Sequence, residues 1–129
     1  MSLTEEKYIS LRTYRKTGVG VDTPVWFASQ DALTHYVFSA ASAGKVKRLR
    51  ISPKAQIATC DFRGGSIGTW LDCHAQLVYD LDEIALARKQ LIGKYGWIMR
   101  FTDFLSWFSG RLSKRVYIRI ELQHQHFRG

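Results

Sequence analysis

Residues Ser39–Arg50 read SAASAGKVKRLR and interrupt a chain whose first half otherwise shows strand patterns. Val46 and Leu49 are three residues apart, as on one face of a helix, and Ser42 is a favourable N-cap. Pro53 disfavours helix at the residue before it. The stretch therefore predicts one short helix of about two turns, anchored to a core by Val46 and Leu49.

On both sides of this helix, apolar and polar residues alternate as they do in half-buried strands. Glycine and aspartate occupy the predicted turns, and Pro24 is expected at the start of its strand, where a missing N–H donor is tolerated. Six strands are predicted, at Tyr8–Tyr14, Thr23–Ser29, Leu33–Ser39, Lys54–Phe62, Thr69–Asp80 and Val116–Leu122. Closure of such strands removes exposed edges, so we expect a mainly β fold, a six-stranded antiparallel barrel in one domain at residues 1–129.

Two further helices are predicted in the second half of the chain. Asp80 opens the first with a capping box, and Gly93 is expected to end it. Trp97–Phe108 carries aromatic residues at helical spacing and predicts the second. Packing against the barrel or against a second subunit explains this aromatic face better than membrane contact does.

Composition limits the class of protein. The chain has 129 residues, 46% of them hydrophobic, and a net charge of +8. No apolar run approaches about 18 residues, and Met1–Lys7 does not resemble a signal peptide, so we expect a cytoplasmic location without a membrane span. Cys60 and Cys73 lack metal-site spacing and are expected to be buried thiols.

Residues Ser39–Arg50 also combine hydroxyl groups, small residues and positive charge at a predicted helix start. Free N–H groups and the helix dipole favour an anion there, and Lys45 and Arg48 add charge-assisted hydrogen bonds. Ser39 and Ser42 add hydroxyl donors. A solvated basic helix explains the same residues equally well, so their chemistry alone leaves both interpretations open.

Five short motifs, in the same order, resemble those of one known family. They are SLRT at residues 10–13, TPVWF at 23–27, GKVKRLR at 44–50, CDFRG at 60–64 and KYGW at 94–97. The sequence resembles the pyridoxamine 5'-phosphate oxidase-like, FMN-binding split barrels, and is most similar to the branch assigned to F420-dependent oxidoreductases. The motifs span nearly the whole chain.

The resemblance implies a homodimer with FMN or the deazaflavin coenzyme F420 at the subunit interface. Ser39 and Lys45 match the residues that hold the cofactor phosphate, and Thr23–Trp26 match those along the ring system. One departure is the stretch FSAAS at residues 38–42, where relatives often carry threonine and an acidic or polar spacer; Ser39 and Ser42 keep the capacity to donate hydrogen bonds. The candidate cofactor-binding residues are Thr23, Pro24, Val25, Trp26, Ser39, Ser42, Lys45, Arg48, Arg12 and Arg63.

The implied activity is hydride transfer between the cofactor and a small-molecule substrate, a reaction that needs no catalytic side chain. Two alternatives stay open at this point. One is a flavin carrier that does not turn over a substrate. The other is a basic barrel that binds single-stranded nucleic acid, although the basic residues cluster at one helix and do not stripe a sheet. His35 and His74 are expected to be structural, and His124-Gln125-His126 to be a frayed terminus.

Overall fold

The computed structural model describes residues 8–60, 67–96 and 115–123. Within these ranges the chain forms six strands and two helices. The elements are β1 (Tyr8–Tyr14), β2 (Gly20–Ser29), β3 (Thr34–Ala40), α1 (Gly44–Ile51), β4 (Lys54–Thr59), β5 (Leu71–Val78), α2 (Leu81–Tyr95) and β6 (Arg115–Leu122). The predicted mainly β fold, with a short helix between the third and fourth strands, is confirmed.

The strands close into a barrel in the order β1-β2-β3-β6-β5-β4, and every neighbouring pair is antiparallel. Apolar side chains that alternate along each strand fill the interior, as a closed barrel of this size requires. Leu49 of α1 joins this core, and Val46 beside it is also fully buried. The predicted anchoring of α1 by these two residues is therefore confirmed.

Five of the six strands, all except β1, differ from the prediction at one or both ends, and β2 and β5 show why. β2 begins at Gly20, which pairs with Tyr14 of β1, so Pro24 lies in the middle of the strand and not at its start. Tyr79, which the predicted strand Thr69–Asp80 included, lies beyond the end of β5 and is 73% exposed. In both cases alternation of residue types was right, but the pairing partners decided where the strand begins or ends.

The capping of α2 at its start is confirmed, whereas its predicted end at Gly93 is wrong. The Asp80 side chain accepts a hydrogen bond from the Glu83 N–H at 2.9 Å. The helix continues past Gly93 to Tyr95 and ends at Gly96, whose φ is +60°. Tyr95 holds this last turn on the barrel, because its hydroxyl accepts from the N–H of Phe27 and donates to its C=O, both at 2.9 Å.

A polar cluster ties α2 to the outside of the barrel. Arg119 donates to both carboxylate oxygens of Glu83, at 2.8 and 2.7 Å, and the Tyr36 hydroxyl donates to the same carboxylate at 2.9 Å. Burial is the main reason that the pKa of Tyr36 rises to about 12, and the bond to Glu83 adds to it. Because Glu83 binds both Tyr36 and Arg119 in this way, we interpret the cluster as structural.

Both cysteines are buried, as predicted. Burial raises the pKa of the Cys73 thiol to about 12, so it stays protonated and unreactive at neutral pH. Among the helices of the described residues, none has the length and apolar character needed to cross a membrane. The predicted helix at Trp97–Phe108, Arg63 and His124-Gln125-His126 lie outside the described residues.

Buried His35 is expected to make stability depend on pH. Its side chain is 1% exposed, and burial, the largest effect on it, lowers its pKa below the usual 6.5. As the pH falls, His35 therefore becomes protonated in the unfolded chain before it does in the folded protein. Its contribution to the free energy of unfolding is complete above about pH 6.5 and is lost as the pH falls below that value. Between pH 7 and pH 5 the free energy of unfolding should drop by up to about 2 kcal/mol from this group.

Urea unfolding at the two pH values checks this expectation. His35→Gln should flatten the pH dependence, whereas His74→Gln, a change at an exposed histidine, should preserve it. Equal pH dependence in the wild type and in His35→Gln would contradict the assignment.

Candidate functional site: an opening between two strands beside a basic helix start

The ladder between β2 and β3 stops partway along both strands. Phe27 pairs with Val37, Ala28 with Tyr36 and Ser29 with His35. The same register would place Val25 opposite Ser39, but no pair forms beyond Phe27. Over Thr23–Trp26, β2 therefore pairs with β1 on one side and with no strand of the described residues on the other.

Two features of β2 at this opening bear on what it can bind. The Thr23 hydroxyl oxygen is buried and has no hydrogen-bond partner within the described part of the chain. Pro24 lies opposite Ser10 of β1. Because proline has no N–H to donate to a β-ladder, its ring nitrogen must face away from β1. The segment Thr23–Trp26, predicted to lie along a cofactor ring, thus borders the gap in the barrel.

Helix α1 begins at the same end of the barrel. β3 leads towards it, and the Ala43 N–H donates to Ala40 O at 3.0 Å in the connecting turn. This turn makes Ala43 the N-cap, with no side-chain hydrogen bond, so the predicted capping by Ser42 is wrong and Ser42 is exposed. No acidic residue lies in the first turn, and the first N–H groups therefore keep their attraction for an anion.

Three cations gather at this helix start. The Arg48 Nε donates to the Thr13 hydroxyl of β1 at 2.6 Å, which fixes the guanidinium. A Cβ added at Gly44 would meet Arg48 Nη1 at 2.8 Å, so the guanidinium lies directly over the first residue of α1. Burial and then the charge of Arg48 lower the pKa of Lys45, while burial and then Arg15 lower that of Arg48.

These contacts define an anion corner, which we take as Thr13, Arg15, Lys45, Arg48 and the N–H groups that begin α1. A bound anion stabilises like positive charges that are held close together. Thr13 and Arg15 were not predicted. Arg15 lies beyond β1 in the turn to β2, and only the fold of that hairpin brings it to α1, so a linear pattern contains no signal for it.

The other predicted residues have different surroundings. Ser39 is buried, and its hydroxyl donates to Ala40 O at 3.1 Å. Arg12 forms a two-bond ion pair with Asp22, at 2.7 and 3.0 Å, and its guanidinium lies 3.8 Å from the Trp70 ring centroid. Hydrogen bonding to Arg12 lowers the pKa of Asp22. The guanidinium of Arg12 is thus held by Asp22 and Trp70.

Trp26 packs on α2. Its ring stacks on that of Tyr95, with centroids 4.7 Å apart, and meets Phe38 edge-on at 6.1 Å. Val25 points into the barrel core. The side chains of these two residues are therefore used in packing, and what β2 offers to the opening is its backbone.

Solved structures with the same fold were found at low sequence identity. The heme storage protein HutZ from Vibrio cholerae aligns with a TM-score of 0.70 and 19% identity, over 94% of this chain and 84% of that one. A FAD-binding protein from Mesorhizobium loti aligns at 0.65 and 19%, over 95% and 83%. A candidate pyridoxamine 5'-phosphate oxidase from Listeria innocua aligns at 0.59 and 18%, over 93% and 86%.

The chain therefore has the split-barrel fold of the pyridoxamine 5'-phosphate oxidase-like proteins, as the sequence resemblance implied. No protein-family model matches the sequence, and no curated protein matches it.

Proposed function

We propose that this protein is a flavin- or deazaflavin-binding oxidoreductase whose cofactor lies in the opening between β2 and β3 with its phosphate at the anion corner. The observation that carries the proposal is the meeting of two features at one end of the barrel. One is the unpaired side of Thr23–Trp26, and the other is the uncapped, basic start of α1.

The residues at the corner fit a phosphate. Lys45 and Arg48 would supply charge-assisted hydrogen bonds, and the first N–H groups of α1 would supply neutral ones. Arg48 is already oriented by Thr13, so less side-chain entropy is lost when an anion binds. Ser39 would contribute its hydroxyl only after giving up its bond to Ala40 O.

Along the ring system, the contacts would come from the backbone of β2 and from the Thr23 hydroxyl. A bound flavin or deazaflavin supplies hydride-transfer chemistry, while the protein binds the ring, orients it and excludes water. The stack of Trp26 on Tyr95 keeps β2 rigid at the point where it leaves β3. This division of roles requires no nucleophile or general base from the protein.

We further propose a homodimer, with a second subunit covering the opening, and a location in the cytoplasm. Among the described residues no strand covers one side of the opening, whereas hydride transfer needs a site from which water is excluded. A second subunit would supply that cover and part of the site for a small-molecule substrate.

Cofactor titration tests the proposed function. Ring fluorescence should change on addition of FMN or coenzyme F420, with a Kd below about 1 µM, equivalent to about 8 kcal/mol. Affinity should fall as salt is raised, because the corner acts through charge. Hemin serves as a comparison, since one protein of the same fold stores heme.

Three results would redirect the proposal. If neither cofactor binds, the proposed function is wrong. If cofactor binds but is not reduced or oxidised with any electron donor or acceptor, the carrier alternative replaces the oxidoreductase. Tight, strongly salt-dependent binding of a single-stranded oligonucleotide in place of a cofactor would favour the nucleic-acid alternative.

A further inference from the structure

An apolar groove lies between the C-terminal end of α1 and the end of β5. Its volume is about 420 Å³, and its apolar lining residues are Leu49, Ile51, Pro53, Leu77 and Tyr79. Leu49 belongs to the barrel core, so this part of the groove wall is fixed. The anion corner is at the opposite end of α1, and the groove has no part in it.

The large apolar side chains at this groove are strongly exposed. Ile51 is 63% exposed and Tyr79 is 73% exposed, and Leu81, two residues after Tyr79, is 79% exposed. These are the three highest values among the large apolar residues that the structure describes. Single exposed apolar side chains are ordinary, but several of them together mark a contact surface. We call the groove together with Ile51, Tyr79 and Leu81 the α1–β5 patch.

Charges of both signs border the α1–β5 patch. Arg50 lines the groove from α1, and Asp82 follows Leu81 in the first turn of α2. Both are exposed, and no ion pair within the described part of the chain involves either of them. The carboxylate of Asp80, by contrast, is already used to cap α2. One positive and one negative side chain are thus available beside the same apolar surface.

This pattern of charge fits a second copy of the chain. A two-fold axis brings the same patch together from both subunits, so that the basic side of one copy meets the acidic side of the other. Two chains that each carry a net charge of +8 repel one another over most of their surfaces. Their association is therefore favoured at a surface where opposite charges meet around an apolar centre. A partner with charges of a single sign would match only half of the patch.

We propose that two copies of the chain associate through the α1–β5 patch about a two-fold axis, with Tyr79 of each copy packed in the groove of the other. Arg50 would form an ion pair with Asp82 of the partner subunit, and the axis repeats this pair. Tyrosine and arginine are enriched among the residues that contribute most of the binding energy at protein interfaces.

The proposal rests on the homodimer of the proposed function, for which it names the contact surface. Helix α1 has eight residues and is therefore only about 12 Å long. A second copy bound at the C-terminal end of α1 is thus also close to the anion corner at the start of the helix.

Sedimentation equilibrium of the full chain tests this association. We expect a monomer–dimer equilibrium with a Kd on the order of 10 µM, typical of a small interface. Tyr79→Ala should raise this Kd more than about tenfold, because the interface loses an aromatic anchor. Tyr79 is exposed in the single chain, so its replacement should leave the fold intact. At about 1 µM most of the protein is monomeric, and chemical denaturation there measures the stability of each variant apart from its association.

Charge reversal tests the proposed ion pair. Arg50→Glu and Asp82→Arg should each raise the dimer Kd about tenfold or more, because like charges then face each other across the two-fold axis. The double variant should return to within about threefold of the wild type. Asp82→Arg also removes an acid from the first turn of α2, and the double variant keeps that change, so its recovery reports the contact between subunits. Lys89→Glu is the matched control, because it reverses an exposed charge that does not line the groove.

Three results would overturn the proposal. They are a wild-type protein that stays monomeric at about 200 µM, a dimer whose Kd changes equally in Arg50→Glu and Lys89→Glu, and a double variant that does not recover. FMN titration of the same samples separates this proposal from the proposed function. A dimer that depends on Arg50 but binds no FMN would contradict the proposed function alone. FMN binding by a dimer that Arg50→Glu leaves intact would contradict the contact surface alone.

Discussion

Replacing Lys45 with alanine is expected to weaken FMN binding more than any other single change at the anion corner. A hydrogen bond to a charged group contributes about 1.5–3 kcal/mol, so the dissociation constant should rise roughly 10- to 150-fold. Lys45 is half-buried beside Arg48, so in the variant no charged side chain from the surface can take over its position. Fluorescence titration of the variant against the wild type measures the change.

Lys47→Ala is the matched control, because Lys47 belongs to the same helix but is exposed. It removes the same net charge and should alter the FMN dissociation constant less than about threefold. If both variants lose FMN affinity equally, non-specific electrostatic attraction explains the binding, and the proposed role of the anion corner is wrong. If neither loses affinity, FMN binds elsewhere.

Replacing Leu49 with alanine is expected to give the largest loss of stability in α1. Leu49 is 6% exposed and packs in the barrel core, where truncation of a leucine costs about 2–5 kcal/mol. Chemical denaturation should show this as a shift of the midpoint with little change in slope. Because α1 carries the anion corner, FMN affinity should fall as well, even though Leu49 makes no polar contact.

Ile51→Ala provides the comparison from the same helix. Ile51 is 63% exposed, so its loss should change the free energy of unfolding by less than about 0.5 kcal/mol. Similar destabilisation by both variants would show that α1 does not depend on Leu49 for its position on the barrel.

The sequence predicted an element correctly where the local residue pattern is compatible with only one kind of structure. Alternation along Tyr8–Tyr14 predicted a strand whose ends match the structure, and Val46 and Leu49 identified the buried side of α1. The prediction failed where a contact with a residue distant in sequence determines where an element ends. Gly93 looked like a helix stop, but the bonds between Tyr95 and Phe27, 68 positions apart, extend the helix past it.

The candidate site divides in the same way. Lys45 and Arg48 could be predicted because the start of the helix is recognisable from the local sequence, although the N-cap is Ala43 and not Ser42. Arg15 and Thr13 join them only because the β1–β2 hairpin folds back beside α1. Arg12 shows the opposite case. It was predicted to bind the cofactor, but its guanidinium forms an ion pair with Asp22 across that hairpin.

Pro24 gives the opening between β2 and β3 a further property. A strand edge with free N–H and C=O groups is a template on which an extended peptide from another chain can add itself. A proline in the middle of that edge interrupts the row of donors, because its nitrogen carries no hydrogen. The gap in the barrel is therefore poorly suited to capture an extended strand from another chain.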